Sequence, residues 1–256
     1  MNSVLPFYYQ IMQTVKGWIL NKEFNPGEKI PSENELAEKF NVSRLTVRQA
    51  ISRLIQEGLL NSKRGEGTFV TDNEKLINSF GLEFSGFMDD LFFHQTLKFQ
   101  IKSVAIKRVF PSKLVKDKLA LGNENNEVIE IKRVRFLRDR LFNYIVNYLP
   151  LEIGSRITEK DLYKKTLLRI LDQDLKIQFT EAIQTIEASF ADQEVAEKLG
   201  VLSGSTVLFV ERIMYTKNQK PVELYHSAYP GDLYKFVFRL KNVERKNGKK
   251  WIYQSD

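Results

Sequence analysis

Residues 31–58 constrain this chain more than any other segment. The stretch PSENELAEKFNVSRLTVRQAISRLIQEG carries two helical patterns separated by a very short break. Ser32 and Glu35 form a capping box: Ser32 can accept from the backbone N–H three residues on, and Glu35 can reach back to the N–H of Ser32. The short helix that follows puts Leu36, Ala37 and Phe40 on one side and stops at Asn41. Val42 leads into Ser43, a second N-cap, and the next helix runs to Glu57 before Gly58 closes it. In this third helix Val47, Ala50, Ile51, Leu54 and Ile55 are expected to form a buried stripe. Arg44, Arg48, Gln49, Ser52 and Arg53 are left on the outer face.

Two helices joined by so tight a turn, the second amphipathic with arginines near its start, make a helix-turn-helix. A helix over residues 4–22, with Ile11, Val15, Trp18 and Ile19 at helical spacing, precedes it and ends at Asn25-Pro26-Gly27. The major groove of DNA admits one helix, whose N-terminal turns meet base edges and flanking phosphates. Arginine suits both targets because its fork donates two parallel hydrogen bonds. Residues 59–70 then read as a β-hairpin pinned by Leu59, Leu60, Phe69 and Val70, with Lys63-Arg64-Gly65-Glu66-Gly67 as its tip. A basic, glycine-rich tip is what a wing needs to approach a minor groove.

The ordered pattern PSE-x-ELA, VSR-x-TVRQA, EGL and G-x-GTFV resembles the GntR-family winged helix-turn-helix over about 65 residues. The resemblance implies that Arg44, Thr46 and Arg48 contact DNA from the recognition helix, beside Ser43 and Gln49. It implies that Ser32, Glu33 and Asn34 sit near phosphates at the entry to the second helix, and that Lys63, Arg64, Gly65 and Gly67 form the wing. Asn34 stands where many relatives carry arginine.

Composition agrees and narrows the alternatives. The net charge is +7, yet residues 1–73 carry nine Lys/Arg against eight Asp/Glu, so the charge that matters is local. Within residues 44–64 stand Arg44, Arg48, Arg53, Lys63 and Arg64 against the single acid Glu57. Cysteine is absent, which removes disulfides, thiolate metal sites and cysteine nucleophiles together and fits a cytoplasmic protein. Two histidines leave little material for a zinc site or a serine–histidine triad. Neither a signal peptide nor an apolar run long enough to span a membrane is legible, and no cofactor is implied.

Polar residues 71–75 suggest a linker, giving a winged-helix domain over 1–73, a linker over 74–79 and a second domain over 80–245. Lys241, Arg245, Lys246, Lys249 and Lys250 read as part of a solvated basic end, with 246–256 as a tail. Strand patterns fall at 97–110, 127–137, 141–149, 175–190, 206–217, 221–229 and 233–240, with helices at about 112–120, 159–172 and 192–200. The fold class is therefore α+β: a winged helix-turn-helix followed by a mainly antiparallel sheet. Alternation puts Ile129, Ile131, Arg133, Arg135 and Leu137 on one face, and Glu223, Tyr225, Ser227 and Tyr229 on one face of a later strand. Guanidinium beside core aliphatics needs partner carboxylates or an anionic ligand. Both readings stay open on the strands alone.

This half resembles the UTRA effector-binding domain of the HutC subgroup, of chorismate-lyase-like fold, over roughly residues 80–242. The resemblance rests on Arg133-Val134-Arg135, Tyr148-Leu149-Pro150, Glu211-Arg212, and Pro221-Val222-Glu223 leading to Ser227, Tyr229 and Gly231-Asp232. It implies that the arginines hold an anionic group of an effector. Glu223, Tyr225, Ser227, Tyr229, Tyr148, Thr166 and the loop Phe84-Ser85-Gly86-Phe87 would complete the site. Ile145 and Thr166-Leu167-Leu168 replace more polar residues of amino-sugar-phosphate binders, which points to a small anion with an apolar part.

The chain is thus expected to be a transcription regulator, in particular a repressor released by a small anionic metabolite. A homodimer on a palindromic double-stranded operator follows from how winged domains pair with half-sites. The alternatives are a DNA-binding protein whose second domain only dimerises, and a lyase-like enzyme for which no nucleophile–base pair is present.

Overall fold

The computed structural model describes residues 5–73, 82–85, 99–122, 127–137, 140–237, 240–245 and 248–253. They fall into two compact units, Met1–Leu82 and Glu83–Asp256. The linker expected at 74–79 lies outside the described residues.

The first unit holds helices α1 (Phe7–Leu20), α2 (Glu33–Phe40) and α3 (Arg44–Gln56), then strands β1 (Leu60–Lys63) and β2 (Gly67–Val70). The capping box at the start of α2 is formed: Ser32 N donates to Glu35 Oε2 at 2.7 Å, and Glu35 N donates to Ser32 Oγ at 3.3 Å. Asn41 ends α2 in the left-handed conformation, φ 51°, and Ser43 caps α3 by accepting from Thr46 N at 3.2 Å. Two side chains that bond their own backbone so closely leave the turn little freedom. Ile11, Val15 and Ile19 of α1, Leu36 of α2, and Val47, Ala50, Ile51 and Leu54 of α3 are buried. Trp18 stacks on Phe40 at 6.1 Å and so ties α1 to α2.

Ile55 departs from the expected stripe and is 36% exposed. One residue past Leu54 the helix has turned about 100° away from the core. Behind α3, the hairpin β1–β2 gains a third edge from residues 27–30, through Ile30 N to Thr68 O at 2.9 Å and Val70 N to Glu28 O at 2.8 Å. Gly67 has φ +127°, a backbone conformation that favours glycine, and the end of the Lys29 side chain lies over it.

The second unit is built on a six-stranded antiparallel sheet in the order β4-β5-β6-β9-β8-β7, comprising β4 (Phe99–Val109), β5 (Val128–Leu137), β6 (Arg140–Pro150), β7 (Phe179–Phe190), β8 (Thr206–Thr216) and β9 (Pro221–Pro230). Strand β3 (Leu82–Ser85) pairs with β10 (Tyr234–Val237). Helices α4 (Lys113–Lys118) and α8 (Gln193–Leu199) cover one face of the sheet, through clusters containing Val115, Val128 and Leu224, and Ala196, Val134 and Ala228. The other face carries α6 (Glu159–Lys164), α7 (Leu167–Arg169) and a π turn (Ile170–Asp174), packed on Ile129, Ile131 and Leu149.

Four segments differ from expectation. The helix expected over 159–172 breaks at Lys165, which is extended, because Thr166 caps a new start by accepting from Arg169 N. The following strand begins only at Phe179, since Leu175 N and Ile177 N still bond the helical carbonyls of Ile170 and Leu171. The end of the chain is not a tail: β11 (Leu240–Arg245) pairs antiparallel with β12 (Gly248–Tyr253). Counting its lysines obscured the strand-forming run Trp251-Ile252-Tyr253. An unexpected short helix, α5 (Leu151–Gly154), turns the chain off β6, with Gly154 set hard against Ile129.

Leu54 is fully buried, so Leu54→Ala should destabilise the first unit by about 2–5 kcal/mol. Denaturant unfolding followed by Trp18 fluorescence in a Trp251→Phe background checks this. On the sheet face under α4, His226 Nε2 lies 3.1 Å from Glu211 Oε2, and Lys118 Nζ lies 2.6 Å from Glu211 Oε1. Burial pushes the His226 pKa below its ordinary value, opposed by Glu211. A depressed base binds its proton later in the folded state than in the unfolded one. Stability is therefore undiminished above about pH 6.5 and falls as the pH drops below it. His226→Gln should flatten that decline in melting temperature between pH 7.5 and 5.

Candidate DNA-reading surface and buried polar face

The N-terminal candidates gather on one side of the helix-turn-helix. Ser32 and Ser43 are N-caps. Arg44, Thr46, Arg48 and Gln49 occupy the first two turns of α3, and Arg44, Arg48 and Gln49 are exposed. Asn34 is exposed on the first turn of α2. Lys63 ends β1, Arg64 and Gly65 make the wing turn, and Gly67 opens β2. Gly65 takes φ +79° with open space around it, so the tip offers only backbone there. Lys63 Nζ lies 4.8 Å from the centre of the Phe69 ring, which steadies a cation at the wing's base.

Glu33 does something the sequence did not disclose. Its carboxylate accepts from Arg44 Nε at 3.1 Å and from Arg48 Nη2 at 3.1 Å and Nε at 3.2 Å. Arg48 first, and then Arg44, hold its pKa below the usual carboxylate range against the opposing effect of burial. One acid thus fixes two guanidinium groups one helical turn apart. It also opposes phosphates for the same donors, since a carboxylate is repelled by a phosphate. Positions 33, 44 and 48 are remote enough in sequence that only the crossing of α2 and α3 reveals the triad.

In the second unit, Arg133, Arg135, Glu223, Tyr225, Ser227 and Tyr229 share one face of the sheet and are all buried. Arg133 Nη2 donates to Asn147 Oδ1 at 2.7 Å, and Asn147 Nδ2 donates to Glu223 Oε1 at 2.7 Å. Glu223 Oε2 stands 3.9 Å from Arg212 Nη2, and the Arg212 guanidinium lies 4.5 Å from the Tyr225 ring centre. Asn143 Nδ2 donates to Ser227 Oγ at 3.0 Å, and the hydroxyls of Tyr225 and Tyr229 are 3.3 Å apart. Ile145 lies between Arg133 and Ser227 in register and is fully buried, an apolar strip among the polar groups. Asn143 Oδ1 is buried without a hydrogen-bond partner.

Glu223 thus faces a third arginine, Arg212, within ion-pair distance. Arg212, Asn143 and Asn147 are additions to the candidate set. A period-2 reading of β8 would have found Arg212, and asparagine twice in the interior of β6 is itself an anomaly for a strand.

Tyr148 does not join them. Alternation along β6 sends it to the opposite face, with Leu224 and Val128, where its ring meets His226 edge-on at 6.0 Å. Burial, with Glu130 beside it, pushes its hydroxyl pKa up to about 12. Thr166 is buried as the cap of α7, on the helical segment that covers the Arg133 face beyond Ile131. Phe84 and Ser85 lie in β3, and Gly86 and Phe87 fall outside the described residues. Among the described residues no cluster of three His, Asp or Glu suits a metal ion, and no helix is long and apolar enough to cross a membrane.

Glu33→Gln should release both arginines. Exposed ion pairs are worth up to about 1 kcal/mol, so affinity for random duplex DNA should rise by up to about fivefold while preference for a cognate site falls. Anisotropy titrations on both DNAs read the two effects separately.

Comparison with known proteins matches both units. The family model for bacterial regulatory proteins of the gntR family matches residues 7–70, and the UTRA domain model matches residues 94–235. The HTH-type transcriptional repressor NagR of Bacillus subtilis (strain 168) is 32% identical over 241 residues, covering 94% of this chain and 97% of NagR. The uncharacterized HTH-type transcriptional regulator YurK of the same organism is 30% identical, covering 86% and 89%. The crystal structure of PhnF from Mycobacterium smegmatis shares the fold with a TM-score of 0.53, at 23% identity over 89% of this chain and 97% of PhnF. The paired arginines of a capped helix-turn-helix, the glycine wing and the buried polar sheet face thus meet in one assignment: the chain belongs to the gntR family of bacterial regulatory proteins, DNA-binding transcription regulators, with a UTRA domain as its second unit.

Proposed function

We propose that the protein is a cytoplasmic repressor that binds a palindromic operator as a homodimer and is released by a small anionic metabolite. The observation that carries this reading is the buried polar face of the second unit. Arg133, Arg135 and Arg212 lie beside Glu223, Asn143, Asn147, Ser227 and two tyrosines on one side of a sheet. Burying so many polar and charged groups costs stability that apolar residues would not forfeit. Guanidinium forks match a carboxylate or phosphate, and Ile145 supplies an apolar contact. The name of NagR, a repressor, supports the direction of control.

On the DNA side, α3 enters the major groove with Arg44, Thr46, Arg48 and Gln49, and the wing places Lys63 and Arg64 against the backbone. Ser32, Ser43 and Asn34 line the approach to phosphates. Phosphate contacts supply much of the affinity and make it fall steeply with salt. The effector acts by binding better to the conformation whose two recognition helices no longer match the half-site spacing.

A second reading, in which this domain only dimerises, draws on the Arg212–Glu223 ion pair and the Arg133–Asn147 bond, which tie the polar face to itself. Anisotropy on the DNA upstream of the protein's own gene, titrated with salt and then with a panel of small anions, separates the two. Binding that is specific, salt-steep and relieved by one anion supports release; tight binding that no anion disturbs supports dimerisation alone. Arg135→Lys keeps the charge and loses the fork. Its operator affinity should stay within about twofold, a margin below 0.5 kcal/mol, while the response to the anion is lost.

A further inference from the structure

We infer that Leu45 is a specificity-determining residue that reads the 5-methyl group of a thymine in the operator; the inference rests on α3 being the helix that enters the major groove. Leu45 is 75% exposed, more than any other exposed large apolar side chain among the described residues. Exposure alone means little, because single apolar residues are ordinary on protein surfaces. Its place is what matters. Leu45 is the second residue of α3, between Arg44 and Thr46, with Arg48 and Gln49 three and four positions on. Those spacings put Leu45, Arg48 and Gln49 on one outer face, opposite Val47, Ala50, Ile51 and Leu54.

Glu33 draws the head groups of Arg44 and Arg48 toward α2. Leu45, with no polar atom, is not held there. Side chains in the first turn of a helix lean toward its N-terminus, and that is the end which approaches base edges in helix-turn-helix complexes. Within the major groove the apolar group on offer is the thymine methyl; guanine, cytosine and adenine present donors and acceptors. A leucine pressed on anything else there would cover polar groups that it cannot satisfy, which weakens binding to the wrong base as well as favouring the right one.

The test uses the full-length protein. A site is first selected from a random-sequence duplex library, and each thymine of the recovered half-site is then replaced by uracil, which removes only the methyl. A replacement in one half-site should weaken the wild-type protein by about fourfold, the worth of one buried methyl-sized group. Leu45→Ala, which keeps a good helix former on an exposed turn, should bind the thymine and uracil sites equally. Wild-type indifference to uracil at every position, or undiminished sensitivity in Leu45→Ala, overturns the inference while leaving α3 as the reading helix. Failure to recover any preferred sequence overturns the reading of α3 itself, and this inference with it.

Discussion

The hydrogen bonds that close the helix-turn-helix corner are the constraint on which the DNA-reading surface depends. Ser32, Glu35 and Ser43 satisfy backbone N–H groups at two helix starts, and Asn41 takes the left-handed conformation that ends the first. With both ends fixed, α3 has one orientation over α2, and its buried stripe is bound to face Leu36 and the α1 residues. The exposed residues of α3 then project together without any contact between them being needed. Arg44 and Arg48 are held further by Glu33, so two side chains of the proposed reading surface are already ordered in the free protein.

A different principle governs the second unit. Strand alternation there decides chemistry: over residues 128–135 of β5, 143–150 of β6 and 224–229 of β9, odd-numbered positions face one side and even-numbered positions the other. One side holds arginines, asparagines, Glu223 and tyrosines. The other holds a separate set of polar pairs, Lys132 with Glu194, Tyr144 with Glu194, and His226 with Glu211, under α4 and α8. Desolvation, together with the Glu194 hydrogen bond, raises the Tyr144 pKa, and Glu194 is held ionised by Lys132 and Tyr144. Glu194 thereby braces α8 on the sheet, and Lys118 braces α4 through Glu211. The Arg133 face is tied to itself through Asn147, Glu223 and Arg212, and it is the face on which the proposed effector reading rests.

Where sequence and structure part, the reason is local in each case. Ile55 fits the helical spacing of the core stripe but lies one residue past its edge. The family pattern groups Tyr148 with the arginines, although its even number sends it to the opposite face. Charge dominates the composition at the end of the chain, but Trp251, Ile252 and Tyr253 carry the pairing tendency of a strand.

The amino-acid sequence by itself determined the helix-turn-helix, its caps, the arginines and the wing glycines, because each depends on residues within a few positions of one another. It determined most of the strand segments of the large sheet and the shared face of Arg133 and Arg135, because alternation is a property of one strand. Only the tertiary structure decided that Glu33 binds two arginines of the next helix, that Glu223 pairs with Arg212, and that Asn147 links that pair to Arg133. Those contacts join residues 11 to 76 positions apart. Such separations are set by helix crossing and sheet register, which no single segment encodes.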